Sequence, residues 1–453
     1  MRISVFGCGY LGAVHAAAMA ELGHDVIGID VDADKVRALT RGVAPFHEPG
    51  LTELLERGLT RGLLAFDTRP WVAQGATVHF VCVGTPQRAD GSVDLRYVDD
   101  AFDAVLDIVR PGDVVVGKST VPVGTAARLA IEVEAHGASL VWNPEFLREG
   151  FAVRDTLEPD RLVYGARAGD DAVAVLDVLY ASILERGTPR IVTDWPTAEL
   201  VKVAANSFLA TKISFINAMA EVAEAVGADV TTLADAIGHD PRIGRRFLNA
   251  GIGFGGGCLP KDIRGFVVRA EELGVGESVA FLKEVDAINL RRRDRVVSLV
   301  KEALGGDVTG RSIAVLGLAF KPDSDDVRDS PALDIADRLR VAGARVRATD
   351  PAALETARRR HPEIDYRATV VDACGGVEAV VLATEWAAYR ALDPTALRRI
   401  VVGRTTREGR PDPVIVDGRN VLDHEAWRAA GWRVMALGRP SDPVRVSTPA
   451  LAR

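Results

Sequence analysis

Cysteine is scarce in this chain of 453 residues, with four in all. Cys8, Cys82, Cys258 and Cys374 stand far apart. They form neither the ladder of a disulfide-stapled secreted domain nor the spacing of a metal cluster, so no metal is expected and a reducing cytoplasm fits best. No apolar run is long enough to span a bilayer, which argues against a membrane partner. The apolar opening "MRISVFGCGYLG" lacks the basic cluster and small-residue cleavage site of a signal peptide and reads as a buried strand. Positive charge is not in excess: 55 Lys and Arg against 63 Asp and Glu give a net charge of -8. Nucleic-acid binding through a basic surface is therefore disfavoured, although a small anionic ligand can still find a local positive pocket. What remains is ordinary globular composition, 48% hydrophobic and 26% charged. At about 150 residues per domain the length suggests two or three domains.

The first segment alternates short β-branched or aliphatic runs with helical stretches: "RISVF", a helix from about Gly12, "DVIGI", "ATVHFVCV", "DVVVGKS" and "SLVWN". That rhythm predicts a parallel sheet covered by helices. Residues 197–227, "TAELVKVAANSFLATKISFINAMAEVAEAVG", have no proline or glycine before their end and are apolar over most of the circumference, as expected of a long helix buried on several sides. A second helical block follows through roughly Arg293. After "GDVTGR" the β/α rhythm returns with "SIAVLGL", a helix from Pro331, "ARVRATD", "VEAVVLAT" and "PVIVDG". The expected fold class is α/β: two Rossmann-like doubly wound domains, 1–195 and 296–438, joined by a long central helix and a helical middle domain over 196–295. A loose tail is expected at 439–453.

Gly7, Gly9 and Gly12 form G-x-G-x-x-G between a strand and a helix, and Asp30 ends the next strand about 20 residues on. Gly7 permits the tight turn, Gly9 lets the backbone approach a pyrophosphate, and Gly12 allows the helix to pack closely. The Asp30 carboxylate would take ribose hydroxyls and repel a 2′-phosphate, favouring NAD as cofactor. Lys35 reads either as a contact to the adenosine end or as a solvated surface charge. In the second copy, "VLGLAFKP", Ala319 and Pro322 replace the later glycines, so the clearance for a pyrophosphate is lost. Thr85 in "CVGTP" and Thr120 in "KSTVPVGT" lie just after apolar strands, where doubly wound sheets bind ligands; either could instead cap a turn.

The stretch "GFGGGCLPKD" sets a thiol after a run of glycines. A buried cysteine serving as a small hydrophobe is one reading. The other starts from Pro260, which suits the first turn of a helix and puts Cys258 at its positive end beside Lys261, where a thiolate is favoured. The glycines would then let a bulky substrate pass close to the backbone. Hydride transfer from an alcohol needs no nucleophilic cysteine, whereas an aldehyde captured by a thiolate can be oxidised again to a thioester and hydrolysed. NAD with an activated cysteine therefore points to oxidation as far as the acid. Lys202 and Asn206, four apart on an apolar helix, read as donors to an oxyanion, or Lys202 pairs with Glu199. Glu145 and Glu149 in "NPEFLREG" suit a water-activating base or a cofactor contact if that stretch is helical; otherwise they face solvent.

These motifs, with "LVKVAANSFLATKISFINAMAE", "DPRIGRRFLNAGIGFGGGCLPKD" and "GLAFKPDSDDVRDSPA", resemble the UDP-glucose 6-dehydrogenase branch of the UDP-glucose/GDP-mannose dehydrogenase family, in order and over nearly the whole chain. The resemblance implies NAD on the first domain, a nucleotide sugar held largely by the third, and a homodimer formed through the central helix. It implies that Cys258 is the nucleophile, that Lys202 and Asn206 stabilise charge on the carbon-6 oxygen, that Asp262 orders water with Lys202, and that Glu145 is the base for thioester hydrolysis. Thr120 and Glu149 would lie at the nicotinamide end, with Leu11, Thr85, Lys35, Lys261 and Arg328 on the cofactor. Phe247, Leu248, Asn249, Ala250, Gly251 and Gly255 would wrap the sugar nucleotide beside Phe146 and Leu147. Lys321 would meet the substrate, and Arg242 and Arg419 are candidates for phosphate or cross-subunit contacts. Gly257 stands where many family members carry serine or tyrosine, which is expected to loosen the loop. The alternatives are the same chemistry on GDP-mannose or an N-acetylhexosamine nucleotide, a two-electron hydroxyacid dehydrogenase, and a nucleotide-binding protein without a reaction.

Overall fold

The computed structural model describes residues 1–403 and 412–440. Most of the expected tail, from residue 441, lies outside the described residues. Contacts group the chain into two units: Met1–Ser207 with Lys261–Ala280, and Phe208–Pro260 with the described residues from Phe281 onward.

The first unit is built on an eight-stranded sheet. Its strands are β1 (Arg2–Phe6), β2 (Asp25–Ile29), β3 (Leu64–Asp67), β4 (Val78–Val81), β5 (Val114–Gly117), β6 (Ser139–Trp142), β7 (Leu162–Gly165) and β8 (Arg190–Thr193). Their order is β3-β2-β1-β4-β5-β6-β7-β8, parallel throughout except between β6 and β7. Apolar residues fill both faces because successive side chains of a strand point to opposite sides. Val114 and Val116 enter one core with Ile3, Val5 and Phe80, while Val115 enters another with Phe6, Val81 and Leu140. Helices cover both faces, so the near-continuous hydrophobic strands follow from double burial. The order reverses between β1 and β4, which opens a crevice at the carboxyl ends of those strands.

The second unit carries a six-stranded, wholly parallel sheet. It comprises β9 (Ser312–Leu316), β10 (Arg345–Thr349), β11 (Asp365–Tyr366), β12 (Ala379–Leu382), β13 (Val414–Asp417) and β14 (Arg433–Ala436), in the order β11-β10-β9-β12-β13-β14. The repeat extends to hydrogen bonds. Gly7 N–H donates to Ile29 O at 2.8 Å, and Gly317 N–H donates to Thr349 O at 2.9 Å. Cys8 N–H meets Asp30 at 2.8 Å, and Leu318 N–H meets Asp350 at 2.8 Å.

The long helix runs Trp195–Val226. It starts two residues before the expected Thr197 because Asp194 accepts the Thr197 N–H at 2.8 Å and Pro196 fits the first turn. It ends at Gly227, whose φ of 73° is left-handed. The helix is buried on several sides but leaves one apolar stripe uncovered. Phe208, Phe215 and Val222 are 67%, 48% and 54% exposed, an apolar line at seven-residue spacing. The second helical block also runs past Arg293, as the helix Phe281–Ala303. Its arginine run looks like a solvated end, yet Arg292 is fully buried between Glu221 and Glu224, and Arg293 pairs with Asp329 and Asp334.

Candidate active site

The glycine turn is built as its spacing requires. Gly7 has φ 86°, and a Cβ there would lie 2.6 Å from Val83 Cγ1. A Cβ on Gly12 would stand 1.8 Å from Gly7 O, so only glycine lets the helix approach the turn. That helix spans Tyr10–Glu21, two residues ahead of the expected start, because Gly12 sits inside its first turn. A Cβ on Gly9 would meet nothing within 4 Å, and Gly9 heads the helix without a side-chain cap. Open space over a helix N-terminus with unclaimed N–H groups suits a pyrophosphate. Asp30, 6% exposed, accepts from Cys8 N–H and from Asp32 N–H at 3.0 Å. Lys35 is not a solvated charge: its ammonium lies 2.9 Å and 3.0 Å from the two Asp30 oxygens. The residues present thus fit NAD. Gly12→Ala is expected to destabilise the unit by about 3 kcal/mol, since the overlap is with backbone. It should also weaken NAD binding at least about tenfold; thermal unfolding and calorimetric titration measure both.

A second group of polar residues gathers around the start of the long helix. Lys202 and Asn206 share one face, 5% and 8% exposed. Lys202 pairs with Glu145 at 3.0 Å, not with Glu199. Glu199 instead accepts from Gly124 N–H and Ala126 N–H, each at 2.7 Å, and so caps the helix Thr125–Ala135. Asn206 donates to Asp262 Oδ2 at 2.6 Å. Lys261 joins this set, 2.5 Å from Asp262 Oδ1 and 3.3 Å from Thr85 Oγ1. Thr85 is buried and Thr120 half-buried, each in the loop after its strand. The "NPEFLREG" stretch is a loop and turn, not a helix, so the spacing of Glu145 and Glu149 places them on no common helical face. Glu145 Oε2 instead accepts Leu147 N–H at 2.7 Å, and the Arg161 guanidinium stacks 3.8 Å over Phe146. Glu149 is 8% exposed and Leu11 half-buried.

Cys258 is the one exposed thiol of the four, directly ahead of the helix Leu259–Glu272. The other three are buried; burial pushes Cys82 and Cys374 up to about 12 and Cys8 well above its ordinary value. The small-hydrophobe reading therefore suits those three and not Cys258. Asp262 follows Cys258 by four residues, one helical turn on.

The glycines before the thiol pack closely against other parts of their own unit. A Cβ would lie 2.4 Å from Asn289 Oδ1 at Gly253, 2.2 Å from Asp329 O at Gly255, and 2.8 Å from the Phe320 ring at Gly256. At Gly257 it would meet Arg328 Cζ at 2.3 Å. Protein groups take the space a side chain would need at these glycines, and the Arg328 guanidinium lies over Gly257. Arg328 itself pairs with Asp326 at 2.7 Å.

Within Phe247–Gly251, Phe247 adopts φ 66° and is 37% exposed, while Leu248 and Ala250 are buried. Arg245 donates to Leu248 O at 2.9 Å and to Asn249 Oδ1 at 2.8 Å. Lys321 stands 5.5 Å over the Phe320 ring, and Arg242 pairs with Asp240 on an exposed surface. Arg419 spends its donors on Ala383 O at 2.8 Å, Phe320 O at 3.0 Å and Gly253 O at 3.3 Å, clasping three loops.

Several positioning residues were silent in the sequence. Asn217 accepts Gly251 N–H at 2.9 Å, and Asn289 exchanges both hydrogen bonds with the Phe254 backbone. Glu48 accepts Gly150 N–H at 2.6 Å and Ala152 N–H at 2.7 Å, and also the Tyr10 hydroxyl. A lone asparagine or glutamate in a helix or loop carries no periodic signal; only glycine-rich neighbours hinted that these segments need pinning.

Comparison with known proteins agrees with this geometry. The sequence matches the UDP-glucose/GDP-mannose dehydrogenase family in its NAD binding domain over residues 1–184, its central domain over 196–291 and its UDP binding domain over 314–424. The UDP-glucose 6-dehydrogenase YwqF of Bacillus subtilis is 40% identical, over 97% of this chain and 98% of its own. The UDP-glucose 6-dehydrogenase of Rhizobium meliloti is also 40% identical, over 97% and 100%. Among solved structures, a UDP-glucose dehydrogenase from Pyrobaculum islandicum superposes with a TM-score of 0.86 at 39% identity, covering 97% of this chain and 98% of that one. A UDP-D-ManNAc dehydrogenase from Pyrococcus horikoshii gives 0.83 at 28% identity, over 98% and 100%.

Proposed function

The chain belongs to the UDP-glucose/GDP-mannose dehydrogenase family, and from that premise we propose that it is a UDP-glucose 6-dehydrogenase, converting UDP-glucose, two NAD and one water into UDP-glucuronate and two NADH. The observation that carries this reading is the exposed Cys258 at a helix N-terminus in a chain with a complete dinucleotide turn. A two-electron dehydrogenase needs only the turn.

Gly7, Gly9, Gly12 and Asp30 would hold NAD, with Leu11, Lys35, Thr85, Thr120, Glu149, Lys261 and Arg328 as further contacts. When bound, NAD accepts one hydride in each of two oxidations. Lys202 and Asn206 donate to the carbon-6 oxygen as it gains charge, and Cys258 adds to the aldehyde to give a thiohemiacetal. Oxidation of that adduct leaves a thioester. Asp262 orders a water, Glu145 takes its proton, and attack on the thioester releases the carboxylate and restores the thiol. Phe146, Leu147, Phe247–Gly251, Gly255 and Lys321 hold the sugar nucleotide, with Arg242 and Arg419 as secondary candidates. The domains assigned are 1–195 for NAD, 196–295 for the central helices and 296–438 for the nucleotide sugar.

A homodimer belongs to this proposal. The exposed line of Phe208, Phe215 and Val222 supports it, since apolar side chains at heptad spacing fit a second copy of the same helix. Among the described residues no helix is long and apolar enough to cross a membrane. A catalytic thiol that must stay reduced suits the cytoplasm. The test is a panel of UDP-glucose, GDP-mannose and UDP-N-acetylhexosamines followed by NADH absorbance. Two NADH per UDP-glucose are expected; good turnover of another sugar nucleotide without turnover of UDP-glucose overturns the assignment.

A further inference from the structure

Beneath the loop that carries Glu145 lies a buried cation unused in the scheme above. Lys118 directly follows β5 and is 7% exposed. Its ammonium donates to Asn143 Oδ1 at 2.9 Å and to Asn143 O at 3.3 Å. Asn143, 1% exposed, is braced from two further sides: its Nδ2 donates to Val163 O at 2.9 Å, and the Tyr180 hydroxyl donates to its Oδ1 at 3.0 Å. Asn143 stands two residues before Glu145, so the ammonium grips the point where the chain leaves β6 and enters the loop. His15, Lys118, Asn143, Glu145 and Tyr180 line one cavity of about 50 Å³.

A buried ammonium is costly, and a neutral side chain of similar length would fill the space without that cost. Burial pushes Lys118 down to about 8, with Glu145 opposing and Lys202 acting in the same direction as burial. Three of the titratable groups facing it are uncharged. Burial holds His15, from the helix Tyr10–Glu21, in its neutral form and keeps Cys82 and Tyr180 protonated. Asp155, Asp160 and Arg161 complete the cavity wall, with Asp155 paired to Arg148. The carboxylate of Glu145 therefore faces two cations, Lys202 in direct contact and Lys118 behind the loop.

We propose that Lys118 is a positioning residue for thioester hydrolysis: through its two hydrogen bonds to Asn143 it fixes the loop that presents Glu145. The inference rests on Glu145 acting as the base.

The test compares the wild-type enzyme, Lys118→Met and Tyr180→Phe in rapid-mixing and steady-state assays with UDP-glucose and NAD. Lys118→Met is expected to lower kcat about tenfold to a hundredfold, with the KM for UDP-glucose within about twofold. The two NADH should still form in a burst, and the acyl group should accumulate on Cys258 as a mass increment in acid-quenched protein. Tyr180→Phe removes a neutral hydrogen bond to the same Asn143 oxygen, and its acyl accumulation should be smaller. No acyl accumulation in Lys118→Met overturns the inference. Should Lys118→Met fail to fold, Lys118→Arg, which keeps the charge but changes the reach to Asn143, must slow thioester hydrolysis relative to the two oxidations or the inference falls. One NADH per sugar from the wild-type enzyme would instead defeat the underlying reading, so the two failures are distinct.

Discussion

Cys258→Ser is expected to stop the reaction after the first oxidation, with steady turnover to UDP-glucuronate falling at least about a thousandfold. The hydroxyl occupies the same position ahead of the helix Leu259–Glu272, but an alcohol is far less acidic than a thiol and offers almost none of the anion that attacks an aldehyde. An ester formed by serine would also be a poorer acyl donor than the thioester. Serine is a good residue at a helix N-terminus, so thermal stability should hold or rise slightly and the loss can be read as chemistry. Counting NADH per UDP-glucose under single-turnover conditions checks it. A serine variant that gives both equivalents at the wild-type rate would contradict the thioester scheme and favour a simpler dehydrogenase.

Lys202→Ala should depress both oxidations, because the charge it answers develops on the same carbon-6 oxygen each time. The expected loss in kcat is about 10² to 10⁴. Alanine also strips Glu145 of the ammonium 3.0 Å away, in a place where the glutamate side chain is only 13% exposed. Rapid mixing separates the steps: the first NADH must slow along with the second. A normal first burst followed by a slow second phase would assign Lys202 to hydrolysis alone. Asn206→Ala, on the same helix face, should follow the same pattern with a smaller loss, since a neutral donor is weaker than a charged one.

The parts of this fold legible in the sequence were those with strong period and composition. The strands β1, β2, β4, β5 and β6 read clearly because burial on both faces makes them uninterrupted β-branched and aliphatic runs. The strands β3, β7 and β8 did not: β3 alternates buried and exposed positions, β7 ends in glycine after three apolar residues, and β8 is largely exposed at the sheet edge, so no long apolar run marks them. In the second sheet, β11 has only two residues. The glycine turn and Asp30 were legible because their geometry admits few residue types. The partners of charged groups were not. Lys202 could choose Glu199 by local spacing, yet its partner lies 57 residues earlier in the chain, and Glu199 is claimed by two backbone N–H groups. The glycines around Gly255 were only half legible for a similar reason: a glycine records that something comes close, not whether that something is ligand or protein.

Asp30 and Asp350 end equivalent strands, and their surroundings differ in one respect. Asp30 takes two backbone N–H groups and, on both oxygens, the ammonium of Lys35, a side-chain partner that can swing aside for a ribose. Asp350, 2% exposed, receives the N–H groups of Leu318, Ala319, Ala352 and Ala353 and the indole of Trp386, more donors than it has good lone-pair directions. In the sheet without the glycines the equivalent acid is committed to backbone and indole donors that cannot leave it, so it works as a keystone of the turn, whereas the movable lysine on Asp30 is what gives the first sheet's acid room for a ligand.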